Sequence, residues 1–439
     1  MEHLIRKQLI DIQLNSGMDS FSIQQKLSEQ YWRFLIPLME EVFDQLQPID
    51  EAILIDSLSI NLGTIELKDL DRINQNENLI LNIKNQIQSQ VNNDEFLNKN
   101  ITRKSISIKD FDQWIFYVKN GFFDWNVNTL NTDWYNHVLE ALATDTDLLE
   151  VFIEEIKTNP NSLLRLIRQH EIQFLSKLTK ILAPDFIEEI SSIEKEYNYN
   201  NQLFKLNSIE FNRGFEIFWK EMFQTCIVIR HENIRKESYN PFDHISFDVQ
   251  ESSSNEIIEP EYSTADFKET PFTDSLFVDY VGIILLHPFL HSLFKKLDLI
   301  HDQTFINLIS REKAIYVLYY LLTGKLNPKE FELVVPKIIC GYPIKAAIST
   351  DIMLSVADRA EADTMLEAVI ANWDILKNTS IDGLREGFLI RRGKIDWVDD
   401  KIKILVEKGP IDMLLDYLPW SLNIIKLPWL KQLIQVDWR

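Results

Sequence analysis

The stretch Ile395-Asp396-Trp397-Val398-Asp399-Asp400-Lys401-Ile402-Lys403-Ile404-Leu405-Val406 alternates in character on both sides of an acidic pair. Ile395 and Trp397 take alternate positions, Asp399-Asp400 form the tip, and Ile402, Ile404 and Val406 alternate on the way back. A period of two belongs to strands with one buried face, so the stretch predicts a β-hairpin. Most other long patterns in the chain are helical, which makes the fold class α+β and mostly helical. Just before the hairpin, Arg391-Arg392-Gly393-Lys394 form a basic island. It reads first as a solvated hairpin edge and second, through Arg391 and Arg392, as a contact point for a protein partner. Upstream, a helix is expected through Phe277 to Leu297, with others near 312–323 and 360–376. Residues 275–439 are therefore expected to form a mixed C-terminal domain.

Composition changes abruptly before that domain. Residues 248–274 contain Glu251-Ser252-Ser253-Ser254-Asn255-Glu256, then Pro260, Thr264, Asp266, Glu269 and Pro271, with Lys268 as the only basic residue. Low hydrophobicity with charge of nearly one sign cannot offset the entropy of ordering, so this segment reads as an acidic flexible linker. Residues 109–247 read as a helical middle domain, rich in aromatics such as Trp114, Phe122 and Trp134, with Asn159-Pro160 and Ala183-Pro184 as helix boundaries. Residues 69–108, rich in Asn, Gln and Lys, read as a polar connector.

In residues 1–68, Ile10, Ile12 and Leu14 alternate before the turn cluster Asn15-Ser16-Gly17. A helix should follow, opened by a Ser22 and Gln25 capping box, faced by Ile23, Leu27, Tyr31, Phe34, Leu38 and Val42, and kinked at Pro37. Ile53 and Ile55, then Leu58, Ile60 and Leu62, alternate again on either side of Asp56-Ser57. The pattern predicts a small N-terminal βαβ-like unit.

The 439 residues suit two or three domains, and 45% hydrophobic content with few glycines places most of the chain in folded structure. Sixty-seven Asp and Glu against 45 Lys and Arg give a net charge of -22, which repels nucleic acid and anionic membrane surfaces. No secretion signal is expected at the N-terminus, and the best apolar run, Val281 to Leu286, ends at His287-Pro288, well short of the ~20 residues of a membrane span. Two distant cysteines, Cys226 and Cys340, argue against a disulfide framework or zinc site and fit a reducing cytoplasm.

No motif calls for chemistry. His287 and His291 have the spacing of two metal ligands but lack an evident third, so ordinary hydrogen-bond partners are the simpler expectation. Thr323-Gly324-Lys325 lacks the first glycine of a phosphate loop and is followed by Leu326. Both cysteines lie in apolar runs and read as inert core. The expectation is a protein without catalytic residues, cofactor or metal. Leu418-Pro419-Trp420 and Leu427-Pro428-Trp429 repeat at nine residues, and Trp438 follows nine further on. Buried core is the plain reading of these tryptophans, and a docking surface for a protein partner is the alternative.

Several of these pieces together resemble a known family. Gly282-Ile283-Ile284-Leu285-Leu286-His287-Pro288-Phe289-Leu290, Leu376-Lys377-Asn378-Thr379-Ser380 running into Gly383-Leu384-Arg385-Glu386-Gly387-Phe388, and the two Leu-Pro-Trp pieces are similar to signature motifs of contractile injection system tape measure proteins. The strand closing Leu58-Ser59-Ile60-Asn61-Leu62-Gly63-Thr64-Ile65 resembles that family's opening, and Asn120-Gly121-Phe122-Phe123-Asp124-Trp125 and Leu163-Leu164-Arg165-Leu166-Ile167-Arg168-Gln169 resemble its middle blocks.

The resemblance implies a non-enzymatic cytoplasmic protein that assembles with baseplate and inner-tube proteins of a phage-tail-like particle. It also implies a role in tube length and incorporation into the particle, and it leaves self-association open. The region between the ends is short for a measuring rod, roughly 200 residues or about 300 Å as one helix. Its aromatics, prolines and glycines disfavour a straight rod. A baseplate or tube initiation factor is therefore the competing role, with an injected effector or enzyme the reading after that.

Overall fold

The structure, a computed structural model, describes residues 3–14, 19–46, 50–92, 100–127, 133–204, 208–232, 234, 240–245, 275–398 and 401–438. The chain divides into two compact units, Met1–Asp112 with Leu130–Ala141 and Gln113–Thr129 with Leu142–Arg439. The acidic stretch 248–274 and the hairpin tip Asp399-Asp400 lie outside the described residues.

In the first unit, helix α1 (Ser20–Gln30) passes through a π-helical turn (Tyr31–Leu35) into α2 (Ile36–Leu46). The expected capping box at Ser22 is not the start. Asp19 caps the helix instead, its carboxylate accepting from the amides of Phe21 and Ser22, which leaves Ser22 inside the first turn. The helix runs on through Pro37 after a π-helical turn. The turn before it widens so that the Ile36 amide reaches Tyr31 O, five residues back, which accommodates a proline that has no N–H of its own.

The polar stretch after residue 69 contains α3 (Glu77–Asn92), whose Leu79, Ile83, Ile87 and Val91 recur every fourth residue and bury against Leu35, Leu38 and Val42. Strand β1 (Glu51–Ile55) pairs antiparallel with β2 (Ile101–Ser105). Residues 10–14, expected as a strand, form no strand pairing, so the partner of β1 comes from a distant segment instead.

Helix α4 (Ile106–Asn120) leads to α5 (Trp134–Thr144), α6 (Thr146–Thr158), α7 (Pro160–Gln169), α8 (Ile172–Leu182), α9 (Ile187–Phe204) and α10 (Ser208–Glu232). Asn159 caps α7 with Pro160 in its first turn, and α8 ends at Ala183-Pro184, as the proline positions predict.

The helix expected from Phe277 begins as a strand. β3 (Leu276–Val278) pairs with the later hairpin, Tyr280 adopts a left-handed conformation that breaks any helix, and a 3-10 turn (Val281–Leu286) leads into α11 (His287–Lys296). There follow β4 (Ile300–His301), β5 (Thr304–Phe305), α12 (Leu308–Thr323), α13 (Val334–Ile339), α14 (Val356–Asn372) and α15 (Ile381–Leu384). The chain closes with β6 (Gly393–Val398), β7 (Lys401–Val406), β8 (Ile424–Ile425) and β9 (Ile434–Asp437).

The predicted hairpin is β6 and β7, in register from Gly393 opposite Val406 to Val398 opposite Lys401. It centres a sheet ordered β3-β6-β7-β9-β8, antiparallel except between β7 and β9. Ile395, Ile402, Ile404, Val406, Ile434 and Val436 point into the core that α11, α12 and α14 share. The fold is α+β and mostly helical.

Candidate functional site

Two charged residues inside apolar runs, Arg165 on α7 and Lys337 on α13, meet Glu330 in the interior of the second unit. Side-chain exposure is 0% for Arg165 and Glu330 and 1% for Lys337. Arg165 donates to Glu330 Oε1 at 3.1 Å, to Lys345 O at 2.6 Å and to Val118 O, and its Nε lies 3.1 Å from Glu330 Oε2, near as a charge but not aligned as a hydrogen bond. Lys337 donates to Glu330 Oε1 at 2.7 Å, to Ala346 O at 2.8 Å and to Ile344 O at 3.1 Å. Burial lowers its ammonium below the ordinary lysine range, against the pull of Glu330. The Glu330 amide in turn donates to Gln169 Oε1 at 3.0 Å. Two cations against one anion leave one excess positive charge, which is tolerable because backbone carbonyls accept nearly every remaining proton.

Gly121 is the fourth element of this node. Its φ of +81° favours glycine, and a Cβ there would stand 2.7 Å from Glu330 Oε1 and 3.0 Å from Arg165 Nε. The bare backbone is what lets the carboxylate and guanidinium approach. Beside the node, the buried His170 accepts from Trp114 Nε1 at 2.9 Å, and its Nδ1 lies 2.9 Å from Leu166 O. Desolvation pushes that imidazole down to about 4, so it is neutral at pH 7.

The five residues read as interaction candidates are scattered rather than gathered. Trp438 is buried in the core of the second unit. Trp420 is half-buried, donates to Leu285 O at 3.1 Å and meets the Phe289 ring edge-on. Trp429, also half-buried, donates to Ile339 O at 2.8 Å and packs on Phe294 and Phe305. Arg391 ties down the loop after the hairpin through Gly387 O at 2.7 Å and Asp412 at 3.0 Å, while Arg392 reaches Asp279 at the surface. His287 and His291 face separate carbonyls, Ile284 O and Asp302 O. Burial pushes both thiols up, as suits inert core. Thr323-Gly324-Lys325 is the C-terminal cap of α12. Among the described residues, no cluster of three or more His, Cys, Asp or Glu could hold a metal ion, and no helix is long and apolar enough to cross a membrane.

The family described as contractile injection system tape measure protein matches residues 2–438. The chain belongs to that family. No curated protein and no solved structure matches it.

Within the second unit, pieces that carried the resemblance to tape measure proteins interlock with one another. Both middle blocks end at the charged node, one supplying Gly121 and the other Arg165 and Gln169. In the C-terminal part, a Cβ at Gly282 would sit 1.9 Å from Phe388 O, so the first piece presses directly on the second. Arg385 donates to Leu321 O and Tyr320 O, closing the end of α12, and Trp420 returns to Leu285 in the first piece. In this tape measure protein, the motif residues hold the fold together. Sequence reading missed Glu330 and Lys337. The available signal was a lone charge in an apolar run, Val334-Val335-Pro336-Lys337-Ile338-Ile339, which marks a buried charge without naming its partner.

Proposed function

We propose that this tape measure family member is a non-enzymatic assembly protein that acts on baseplate and inner-tube proteins of its particle in the bacterial cytoplasm, by recognition rather than by spanning the tube. The observation that carries this reading is the folding of the chain into two compact units. The longest described helix, Ser208–Glu232, has 25 residues, about 37 Å at the α-helical rise. Such a chain resembles an initiation factor for baseplate or tube more than a rod whose length is copied. Partner contact in the C-terminal part falls to Arg392 and the exposed edges of Trp420 and Trp429, because Trp438 and Arg391 are engaged inside the protein.

Electron microscopy of particles made with and without the protein tests the assembly role. Extra helical turns inserted after Asn92 test the length role. Loss of particles without the protein, and unchanged tube length with the insertion, are the expected results. Tubes longer by ~1.5 Å per inserted residue would restore the ruler, and normal particles in its absence would remove both roles.

A further inference from the structure

Residues 58–62 are held like one edge of a sheet that has no second strand. Gln86 accepts from the Asn61 amide at 2.9 Å and donates to Asn61 O at 2.8 Å. Gln90 accepts from the Ser59 amide at 3.4 Å and donates to Ser59 O at 2.8 Å. Two glutamines four apart on α3 are about 6 Å apart along the axis, close to the ~6.6 Å between alternate residues of an extended chain. Each carboxamide thus takes the place of a neighbouring strand's peptide group.

In an extended chain, successive residues aim their N–H and C=O groups at opposite edges. Clamping Ser59 and Asn61 therefore turns the backbone groups of Leu58, Ile60 and Leu62 the other way. None of those groups hydrogen-bonds to another described residue. Their side chains lie against the α2 and α3 core, which fixes the register of the open edge.

The same unit carries a segment with the complementary defect. Ile10, Ile12 and Leu14 have the alternation of a strand, yet residues 10–14 make no backbone hydrogen bond to a described residue. The three side chains are 40%, 40% and 39% exposed. Within its own chain the segment makes no backbone hydrogen bond to that edge, and upstream of it His3 is bound to Asp44 at 2.9 Å and lies against the Phe43 ring.

We propose that residues 10–14 of one copy add as an antiparallel strand to the open edge of residues 58–62 in a second copy. Ile10, Ile12 and Leu14 then face Leu62, Ile60 and Leu58, so three apolar pairs accompany the backbone bonds. Residues 57–63 carry no charge, so the pairing sets no like charges against each other in a chain of net charge -22. Each copy holds one donor segment and one acceptor edge, so the exchange is self-complementary.

Light scattering on size-fractionated full-length protein tests this. Wild type should exceed the 51.7 kDa monomer mass, increasingly so with concentration. Ile12→Pro removes an amide from the donor segment, and Ile60→Pro removes one from the open side of the acceptor while leaving the glutamine clamp in place; each alone should run as a monomer. Mixed, the two should recover a dimer, since the first retains the acceptor edge and the second the donor segment. A wild type that stays at monomer mass overturns the proposal, including the case in which a strand from a different protein fills the edge. So does Ile12→Pro protein with wild-type mass, a result that stands even if Ile60→Pro fails to fold.

Discussion

Replacing Glu330 by Gln keeps the shape of the charged node and removes its only anion. Arg165 and Lys337 then face each other in the interior with two positive charges where the wild type has a net of one. Removing one partner of a fully buried pair costs about 3 to 5 kcal/mol, and the second cation puts this site at the upper end. By contrast, the Arg392–Asp279 pair is largely exposed on both sides, and Arg392→Ala should cost no more than about 1 kcal/mol.

Urea unfolding of the full chain, followed by tryptophan fluorescence, reads the difference as a midpoint shift at constant slope. The Glu330→Gln/Lys337→Met double variant removes one of the two cations, returns the site to a net charge of one and should recover part of the loss, with a coupling of at least ~1 kcal/mol. Strict additivity of the two changes, or a Glu330→Gln loss no larger than that of Arg392→Ala, would refute the account of the node as two buried cations held by the Glu330 carboxylate.

Four further expectations follow from the same geometry. Gly121→Ala forces a left-handed residue against Glu330 and Arg165, so a loss of about 2 kcal/mol or more is expected in the same unfolding assay. His170 has a folded value of about 4 against an ordinary 6.5, so the unfolded state binds the extra proton; its contribution is complete above pH 6.5 and disappears as pH falls to 4, at most about 3 kcal/mol. His170→Gln, which can still accept from Trp114, should flatten the unfolding midpoint across that window relative to wild type. Trp429→Phe, which keeps the contacts with Phe294 and Phe305 and loses the bond to Ile339 O, should cost about 1 kcal/mol, and Trp429→Ala about 3 kcal/mol, both read by thermal melting. Cleavage at a protease site engineered between Glu251 and Thr270 should give two fragments that remain together on gel filtration, held by the Arg165–Glu330 pair, the Asn161–Ala347 bond and the packing of Tyr117 and Phe123 on Phe331; separation at neutral pH would refute a shared interior.

Legibility followed the range over which each feature is decided. The β6–β7 hairpin was readable because its partners are adjacent in sequence and its period is two. Helix α12 and the Pro160 start of α7 were readable because caps and periodicity are local. β3 reads as helix in the sequence because three residues carry too little periodicity to show that Leu276 and Val278 pair with a strand more than a hundred residues later. The alternation of residues 10–14 suggests them as the partner of β1, yet the ladder forms with Ile101–Ser105, on the far side of α3 in sequence. The charged node, by contrast, depends on Arg165 meeting Glu330 across 165 positions, which no local pattern encodes.

That the family's motif residues fasten the interior bears on where partners are recognised. Gly282, Arg385, Gly121 and Arg165 are occupied by other parts of the same chain, so changing them alters recognition by loosening the framework. On the readings proposed above, the parts left to meet another protein are Arg392 beside the hairpin, the outer faces of Trp420 and Trp429, and the open backbone of Leu58, Ile60 and Leu62. A backbone edge is read through N–H and C=O groups that every residue has, so it can persist while its side chains change, provided Gln86 and Gln90 keep the segment extended. Replacing those two glutamines should therefore impair self-association more than any single substitution at Leu58, Ile60 or Leu62 that keeps an apolar side chain.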